Sequence, residues 1–222
     1  MTKKIIFSLL IVMISGSQLS AQEKKKFNSI EQVLSRISPN EKTDFWVLVH
    51  NLYGKNREVR TSGTKKDYLP QFSGFNIIPN ENSFYYIAYS QGGKMSYITT
   101  LDDLKTFIGK TDNAEEAALK AVFDGYFIDE EFGDVAAHYR EDAKNYYLDL
   151  GKKTSAECPY QKTHFMLTVD KKSGEITSAK DNGAYMELYH KKCTNNPRLL
   201  KIEKKEEPKE DPKKKQPAKK KK

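Results

Sequence analysis

The four histidines are the first residues to consider for chemistry, because imidazole ligates metals and transfers protons near neutral pH. His50, His138, His164 and His190 are scattered along the chain, and none belongs to an HExxH motif or an i, i+4 ligand pair. The polar segment AAHYRED around His138 predicts a solvated stretch, whereas His164 and His190 fall in predicted strands that could lie side by side. These spacings do not predict a metal centre.

The nucleophilic and carboxylate residues form no recognisable catalytic motif. No GxSxG elbow is present. Asp102–Asp103 and Glu115–Glu116 fall in the first turns of predicted helices, where they favour the positive end of the helix dipole. The sequence therefore identifies no catalytic, cofactor-binding or metal-ligating residues, and no cofactor.

Two cysteines remain once a predicted signal peptide is removed, Cys158 and Cys193. They do not form a CxxC motif, and an exported chain with two thiols most simply pairs them. We therefore predict a structural disulfide closing a loop of about 35 residues, which the chain-entropy estimate values at roughly 3–4 kcal/mol.

Tyrosines crowd one predicted hairpin, NSFYYIAYSQGGKMSYITT. Strand alternation places Tyr85 and Tyr89 on one face and Phe84 and Tyr86 on the other. One face must join the core, and the other is either covered by a further element or exposed to a protein or glycan partner. Tyr85, Tyr89 and Tyr97 are the candidate contact surface.

The elements that must position these residues are short helices and hairpin-linked strands. Helices are predicted in SIEQVLSRIS, TLDDLKTFIG and DNAEEAALKAVFDG, with Asp112 capping the last and Glu115 reaching back. Strands are predicted in DFWVLVHNLYG, the tyrosine hairpin, NYYLDL, THFMLTV, GEITSA and AYMELYH. This order predicts an α+β fold with a mainly antiparallel sheet, two or three short helices and a disulfide staple.

The layout EEAALKAVFDGY, NYYLDL and THFMLTVDKKSGEI resembles the helix-then-hairpin plan of small exported domains such as PepSY or cystatin-like modules. The resemblance covers about 70 residues. It implies an inhibitor or chaperone of an exported enzyme as one functional alternative.

The two ends of the chain indicate where the protein acts. Lys3 and Lys4, the apolar run that follows and the small residues before Gln22 have the layout of a cleaved signal peptide. We predict a signal peptide over 1–21, a linker over 22–27, one domain over 28–200 and a disordered tail over 201–222. The predicted location is periplasmic or secreted, with no transmembrane anchor after cleavage.

The basic charge is concentrated at the ends. The chain carries +8, the first 26 residues account for +4, and the tail adds +6 from eleven lysines against five acids, which leaves −2 for residues 27–200. A nucleic-acid-binding domain would carry its positive charge on the fold, so specific nucleic-acid recognition is not predicted. The tail is either a solvated extension or an electrostatic contact with anionic surfaces.

Together these patterns predict an exported, non-catalytic bacterial envelope or extracellular binding or accessory protein. Its partner would be another exported protein or an anionic envelope polymer. A secreted hydrolase with dispersed acidic residues is a second alternative, because no single-sequence motif identifies such a pair.

Overall fold

A computed structural model describes residues 23–77, 82–193 and 196. The predicted signal peptide and the predicted tail therefore lie outside the described residues. Within that part of the chain, the structure has ten strands and four helices. In chain order they are β1 (Lys25–Lys26), α1 (Ile30–Leu34), β2 (Phe45–Leu52), β3 (Lys55–Gly63), β4 (Ser83–Gln91), β5 (Lys94–Ile98), α2 (Leu101–Ile108), α3 (Ala114–Phe123), β6 (Tyr126–Phe127), α4 (Gly133–Ala136), β7 (Ala137–Glu141), β8 (Asn145–Ser155), β9 (Tyr160–Asp170) and β10 (Ile176–Leu188).

The strands form two antiparallel sheets. The N-terminal sheet has the order β3-β2-β4-β5, and the C-terminal sheet has the order β1-β7-β8-β9-β10, with β6 also pairing with β8. The predicted α+β class with antiparallel sheets and few short helices is confirmed.

The N-terminal sheet follows directly from its sequence. All five residues from Phe45 to Val49 in β2 are buried, as expected for a central strand covered on both faces. The predicted hairpin forms between β4 and β5, where Gly92 and Gly93 have φ of 56° and 79°. Glycine adopts this left-handed region without the steric cost that a Cβ brings.

One central core joins the two sheets through the first three helices. It contains Leu34 of α1, Leu104 of α2, Leu119 of α3, Leu48 of the N-terminal sheet and Leu148 of the C-terminal sheet, each with no exposed surface. A second, smaller core lies on the other face of the N-terminal sheet, between Phe45, Val47 and Tyr86, with Tyr68 packed against it.

Local capping sets where the helices begin and end. Thr100 accepts a hydrogen bond from the Asp103 amide at the start of α2, and Gly109 ends that helix with φ of 57°. In α3 the predicted cap is displaced by one residue, because Asn113 rather than Asp112 is the N-cap. Glu116 accepts from the Asp112 amide at 2.7 Å, in the role predicted for Glu115.

Three segments differ from the sequence-based prediction. The segment expected to be a linker contributes β1, which pairs with β7, and Phe27 beside it is buried with its ring stacked on Tyr139. The segment around His138, expected to be solvated, forms β7. The two strands predicted in GEITSA and AYMELYH are one strand, β10, with register shifts around Ala184.

The predicted disulfide between Cys158 and Cys193 is confirmed. It joins the loop before β9 to the chain that follows β10, across a sequence separation of 35 residues and a Cα–Cα distance of 5.7 Å. The bond therefore ties the chain after the last described strand to the C-terminal sheet.

A buried ion pair fixes the loop after β6 to the C-terminal sheet. The Asp129 carboxylate accepts hydrogen bonds from Lys162 Nζ at 2.8 Å, Tyr185 Oη at 2.7 Å and the Phe132 amide at 3.2 Å. Lys162 Nζ lies 5.6 Å and 5.2 Å from the ring centroids of Phe127 and Phe132. Burial opposes ionisation of Asp129, but these hydrogen bonds outweigh it and hold the pKa of Asp129 below its ordinary value.

Replacing both cysteines with alanine should lower the unfolding midpoint while leaving the fold unchanged, because a cross-link acts largely by restricting the unfolded chain. The expected loss in free energy of unfolding is about 3–4 kcal/mol. Denaturant unfolding of the oxidised protein and the double variant measures it, with circular dichroism as the check on the fold. Equal midpoints would contradict the prediction.

Lys162→Ala should lower the free energy of unfolding by about 3–5 kcal/mol, since it leaves the Asp129 carboxylate buried without its cation. The double variant Lys162→Met with Asp129→Asn removes both charges at similar volume and should lose less. Urea unfolding at pH 7 compares them. A double variant less stable than Lys162→Ala would show that the buried charge is not the source of the loss.

Candidate functional site

The helix-facing side of β4 carries the row Tyr85, Ile87 and Tyr89. Ile87 has no exposed surface, whereas the two tyrosines are only partly buried against the central core. Residues four apart on a strand are separated by about 13 Å. The middle of this face is therefore closed and each end is open. We name the two openings the Tyr85 cleft and the Tyr89 cleft.

The Tyr89 cleft has a volume of about 300 Å³ and is formed by the segment after α1, β4, β5 and α2. Its lining residues are Pro39, Asn40, Glu41, Thr43, Tyr89, Gln91, Ile98, Asp103, Thr106 and Phe107. These ten residues comprise apolar and aromatic groups, two carboxylates, two amides and two threonines, with no lysine, arginine, histidine or cysteine.

The floor of the Tyr89 cleft consists of two aromatic rings, and a buried tryptophan packs against one of them. The rings of Tyr89 and Phe107 lie 5.5 Å apart at 57°. Trp46, which is 2% exposed, meets Phe107 edge-on at 6.0 Å. The Asn40 amide donates to the Phe107 carbonyl at 2.6 Å, which ties one wall of the cleft to the helix that carries the floor.

The rim of the Tyr89 cleft carries carboxylates that the fold already orients. Gln91 Nε2 donates to Glu41 Oε2 at 2.7 Å, and Thr100 Oγ1 donates to Asp103 Oδ2 at 2.7 Å. Within the described residues, the second oxygen of each carboxylate accepts no hydrogen bond. Glu41 and Asp103 can therefore each accept a hydrogen bond from a ligand.

The Tyr85 cleft is larger, at about 450 Å³, and is lined by Ser29, Ile30, Glu31, His50, Leu52, Asn76, Ser83, Tyr85 and Glu130. His50 stacks on Tyr85 with ring centroids 4.3 Å apart and planes 12° apart. Phe75 lies 6.3 Å from the same tyrosine ring. The aromatic groups of this cleft therefore pack largely on one another.

The charged groups of the Tyr85 cleft are held by protein contacts. Glu31 pairs with Arg57 and lies 3.5 Å from His50 Nδ1, and Glu130 Oε1 accepts from the Ile30 amide at 2.6 Å. Burial lowers the pKa of His50, which Glu31 opposes and Arg57 reinforces. Burial, with the nearby carboxylates, raises the pKa of Tyr85 to about 12. His50 and Tyr85 are therefore both neutral at pH 7.

The three tyrosines of the predicted contact surface do not lie together. Tyr85 and Tyr89 line different clefts on one face of the N-terminal sheet. Tyr97 pairs with Ala88 and packs against the smaller core on the other face, where its hydroxyl accepts from the Leu69 amide at 2.8 Å. The hairpin register set by the two-glycine turn could have separated Tyr97 from the others.

The two carboxylate pairs are what sequence reasoning missed. Glu41 and Asp103 both line the Tyr89 cleft, and Glu31 and Glu130 both line the Tyr85 cleft. Asp103 was interpretable from sequence only as a helix first-turn residue. No local pattern links Glu31 with Glu130, because they lie 99 positions apart.

The sequence also contains an SxxK pattern from Ser62 to Lys65. Both residues are exposed at the end of the edge strand β3, and Lys65 Nζ is paired with Glu58 at 2.9 Å. An activated nucleophile needs its base within hydrogen-bond reach. Lys65 is engaged with Glu58, and among the described residues no hydrogen bond joins it to Ser62.

Two of the four histidines lie beside one carboxylate, since His138 of β7 pairs in register with Asp149 of β8. His164 Nε2 lies 2.9 Å from Asp149 Oδ1 in the C-terminal sheet, and His190 lies beyond the end of β10. Among the described residues, no three His, Cys, Asp or Glu side chains are arranged to hold a metal ion. Within the same residues, no helix is long and apolar enough to cross a membrane.

No family model matches the chain, and no match is found among curated proteins or solved structures. A functional interpretation therefore depends on the geometry of the two clefts and on the charge of the chain.

Acidification should destabilise the protein through His50. Its folded pKa lies below the ordinary value of 6.5, so the unfolded chain takes up the proton first and stability declines as pH falls below 6.5. His50→Phe keeps an aromatic partner for Tyr85 but cannot titrate, and its stability should fall less between pH 7 and pH 5.

Urea unfolding of both proteins across that range is the measurement. His138, whose pKa burial also lowers, is present in both proteins, so the difference between the two profiles reports His50 alone. Parallel profiles would contradict the assignment.

Proposed function

We propose that the protein is an exported, non-catalytic binding protein of the bacterial envelope or extracellular space, and that it holds its partner at the Tyr89 cleft. The observation that carries the proposal is the composition of this cleft. An aromatic floor formed by Tyr89 and Phe107 lies beside convergent polar groups, which is the usual make-up of a recognition site.

The orientation of the rim carboxylates supports binding over chemistry. Glu41 and Asp103 each accept a hydrogen bond from a neutral side chain, Gln91 and Thr100 respectively. These neighbouring donors orient both carboxylates, so the remaining oxygens suit accepting hydrogen bonds from a ligand. Apart from these two carboxylates, the lining contains no histidine, cysteine or lysine that would serve as a base or nucleophile.

The proposed location rests on two features. The disulfide between Cys158 and Cys193 is of the kind that persists in oxidising compartments. The N-terminal sequence has the layout of a secretory signal peptide.

The lysine-rich tail is proposed to add loose electrostatic contact with anionic surfaces. It carries eleven lysines against five acids, whereas residues 27–200 sum to −2. Such contact depends on charge rather than on sequence. It weakens steeply with salt, because the screening length shortens from about 10 Å at 0.1 M to about 3 Å at 1 M. The tail would not occupy the cleft, so an exported enzyme could bind there. With such a partner, the protein would act as an inhibitor or a chaperone.

A second candidate function is that of a secreted hydrolase, which the Tyr85 cleft favours. Its Glu31 and Glu130 come from distant segments to one opening, as an acid and base pair would. Against this role, Glu31 is paired with Arg57 and Glu130 accepts from a backbone amide, so both are already engaged in holding the fold.

The test is capture from an envelope extract by immobilised mature protein. Tyr89→Ala should lose at least one captured component that the wild type retains at 1 M salt, because the aromatic floor is removed. Tyr189→Ala, a tyrosine outside both clefts, is the matched control and should keep it. Truncation before Lys201 should lose only the components that 1 M salt also removes.

Identical captured sets for wild type and Tyr89→Ala would overturn the proposed use of the cleft. Release of products from envelope polymers by the wild type, abolished by Glu31→Gln or Glu130→Gln, would establish the hydrolase instead.

A further inference from the structure

The polar groups of the Tyr89 cleft are of the kinds that pair with hydroxyl groups. Carboxylates accept hydrogen bonds, and amides both donate and accept them. Glu41, Gln91 and Asn40 lie on the wall formed by the segment after α1 and the end of β4, while Asp103 and Thr106 lie on α2. A ligand between these walls meets acceptors on both sides.

The position of Asn40 depends on a glycine. A side chain added at Gly109 would collide with the Asn40 side chain, and Gly109 also has φ of 57°. Glycine therefore both ends α2 and leaves the space in which the Asn40 amide packs.

The floor of the cleft suits the apolar side of a ring. Tyr89, Phe107 and Ile98 present carbon surface, and the tyrosine ring adds a hydroxyl at its edge. Aromatic rings provide large contact area at low entropy cost. A ligand that matches both parts of the cleft has one face of C–H groups and a periphery of hydroxyls.

Charge narrows the ligand class further. Two carboxylates and no cation line the cleft, so a phosphate, sulfate or carboxylate group would be repelled. A wholly apolar ligand would cover Glu41 and Asp103 without replacing their hydrogen bonds to water, which is unfavourable. The volume of about 300 Å³ lies at the lower end of the range for small-molecule sites.

We infer that the Tyr89 cleft binds one neutral sugar ring, with its C–H face on Tyr89 and Phe107 and its hydroxyls hydrogen-bonded to Glu41, Gln91 and Asp103. This inference rests on the proposed function, since it names the chemical class of the partner. The partner would then be a glycan that exposes an uncharged sugar residue.

The sharpest probe is a pair of ligands that differ only in charge. Methyl glucoside and methyl glucuronide share a ring and differ at C6, where a hydroxymethyl group replaces a carboxylate. Methyl glycosides of galactose, mannose and N-acetylglucosamine extend the neutral set. A single ring should bind with a Kd of about 1 mM, which saturation-transfer NMR detects.

At least one neutral methyl glycoside should bind to the full-length mature protein at low salt, and methyl glucuronide should bind at least about tenfold more weakly than methyl glucoside or not at all. Tyr89→Ala should weaken the neutral ligand about tenfold or more, whereas Tyr189→Ala should leave it unchanged.

A charge variant keeps the test decisive if Tyr89→Ala does not fold. Glu41→Gln with Asp103→Asn preserves shape, removes both negative charges and replaces one acceptor oxygen of each side chain with an amide donor. It should strengthen methyl glucuronide binding severalfold, because the repulsion is gone, and weaken the neutral glycoside about threefold or more, because each free acceptor oxygen has become a donor.

Preference for the glucuronide, or neutral binding that neither variant alters, would overturn the inference. If no glycoside binds but Tyr89→Ala still loses a captured envelope component, the inference fails and the proposed binding function stands. If no glycoside binds and capture is also independent of Tyr89, both fail.

Discussion

The packing of three short helices against the inner faces of both sheets is the constraint on which the rest of the structure depends. Helices α1, α2 and α3 have 5, 8 and 10 residues, so the longest is about 15 Å long. Strand β4 has 9 residues and extends about 30 Å. No single helix of this length spans the face of such a strand. The central core closes over Ile87 and leaves Tyr85 and Tyr89 at open ends. The two clefts lie at these open ends.

The contacts that hold the helices in place also position the walls of the clefts. Glu116 has no exposed surface, and its carboxylate accepts from the Ser38 amide at 2.6 Å and from the Asp112 amide at 2.7 Å. Burial raises the pKa of Glu116, and the backbone donors oppose that rise. The Ser38 contact fixes the chain immediately before the segment that lines the Tyr89 cleft. At the Tyr85 cleft, Glu130 accepts a hydrogen bond from the amide of Ile30 and so fixes the first residue of α1. The geometry of each cleft is therefore coupled to the stability of the domain.

Local signals in the sequence were sufficient for much of the fold. The alternation in β4, the two-glycine turn after it and the Thr100 cap of α2 are each set by neighbouring residues, and each is confirmed. The strand β7 was missed because its segment is polar, and it is ordered by pairing with β8 and by the stacking of Phe27 on Tyr139. The clefts were not predictable because they, too, depend on long-range contacts. Each depends on which segments meet across the core, and that choice is made by long-range packing that no window of sequence contains.

The distribution of charge separates the two proposed modes of contact. The cationic tail and the cation-free Tyr89 cleft attract different groups, so an anionic polymer drawn to the lysines would not compete for the cleft. A tethered second contact raises the effective concentration of its partner without any new interaction at the first site. A weak site for neutral ligands would therefore benefit from a charged tail when neutral and anionic units occur on the same surface. In the proposed arrangement the cleft would provide selectivity, and the tail would prolong the encounter in a salt-dependent way. The opposite placement, with lysines on the cleft, would have made the two contacts compete for the same groups.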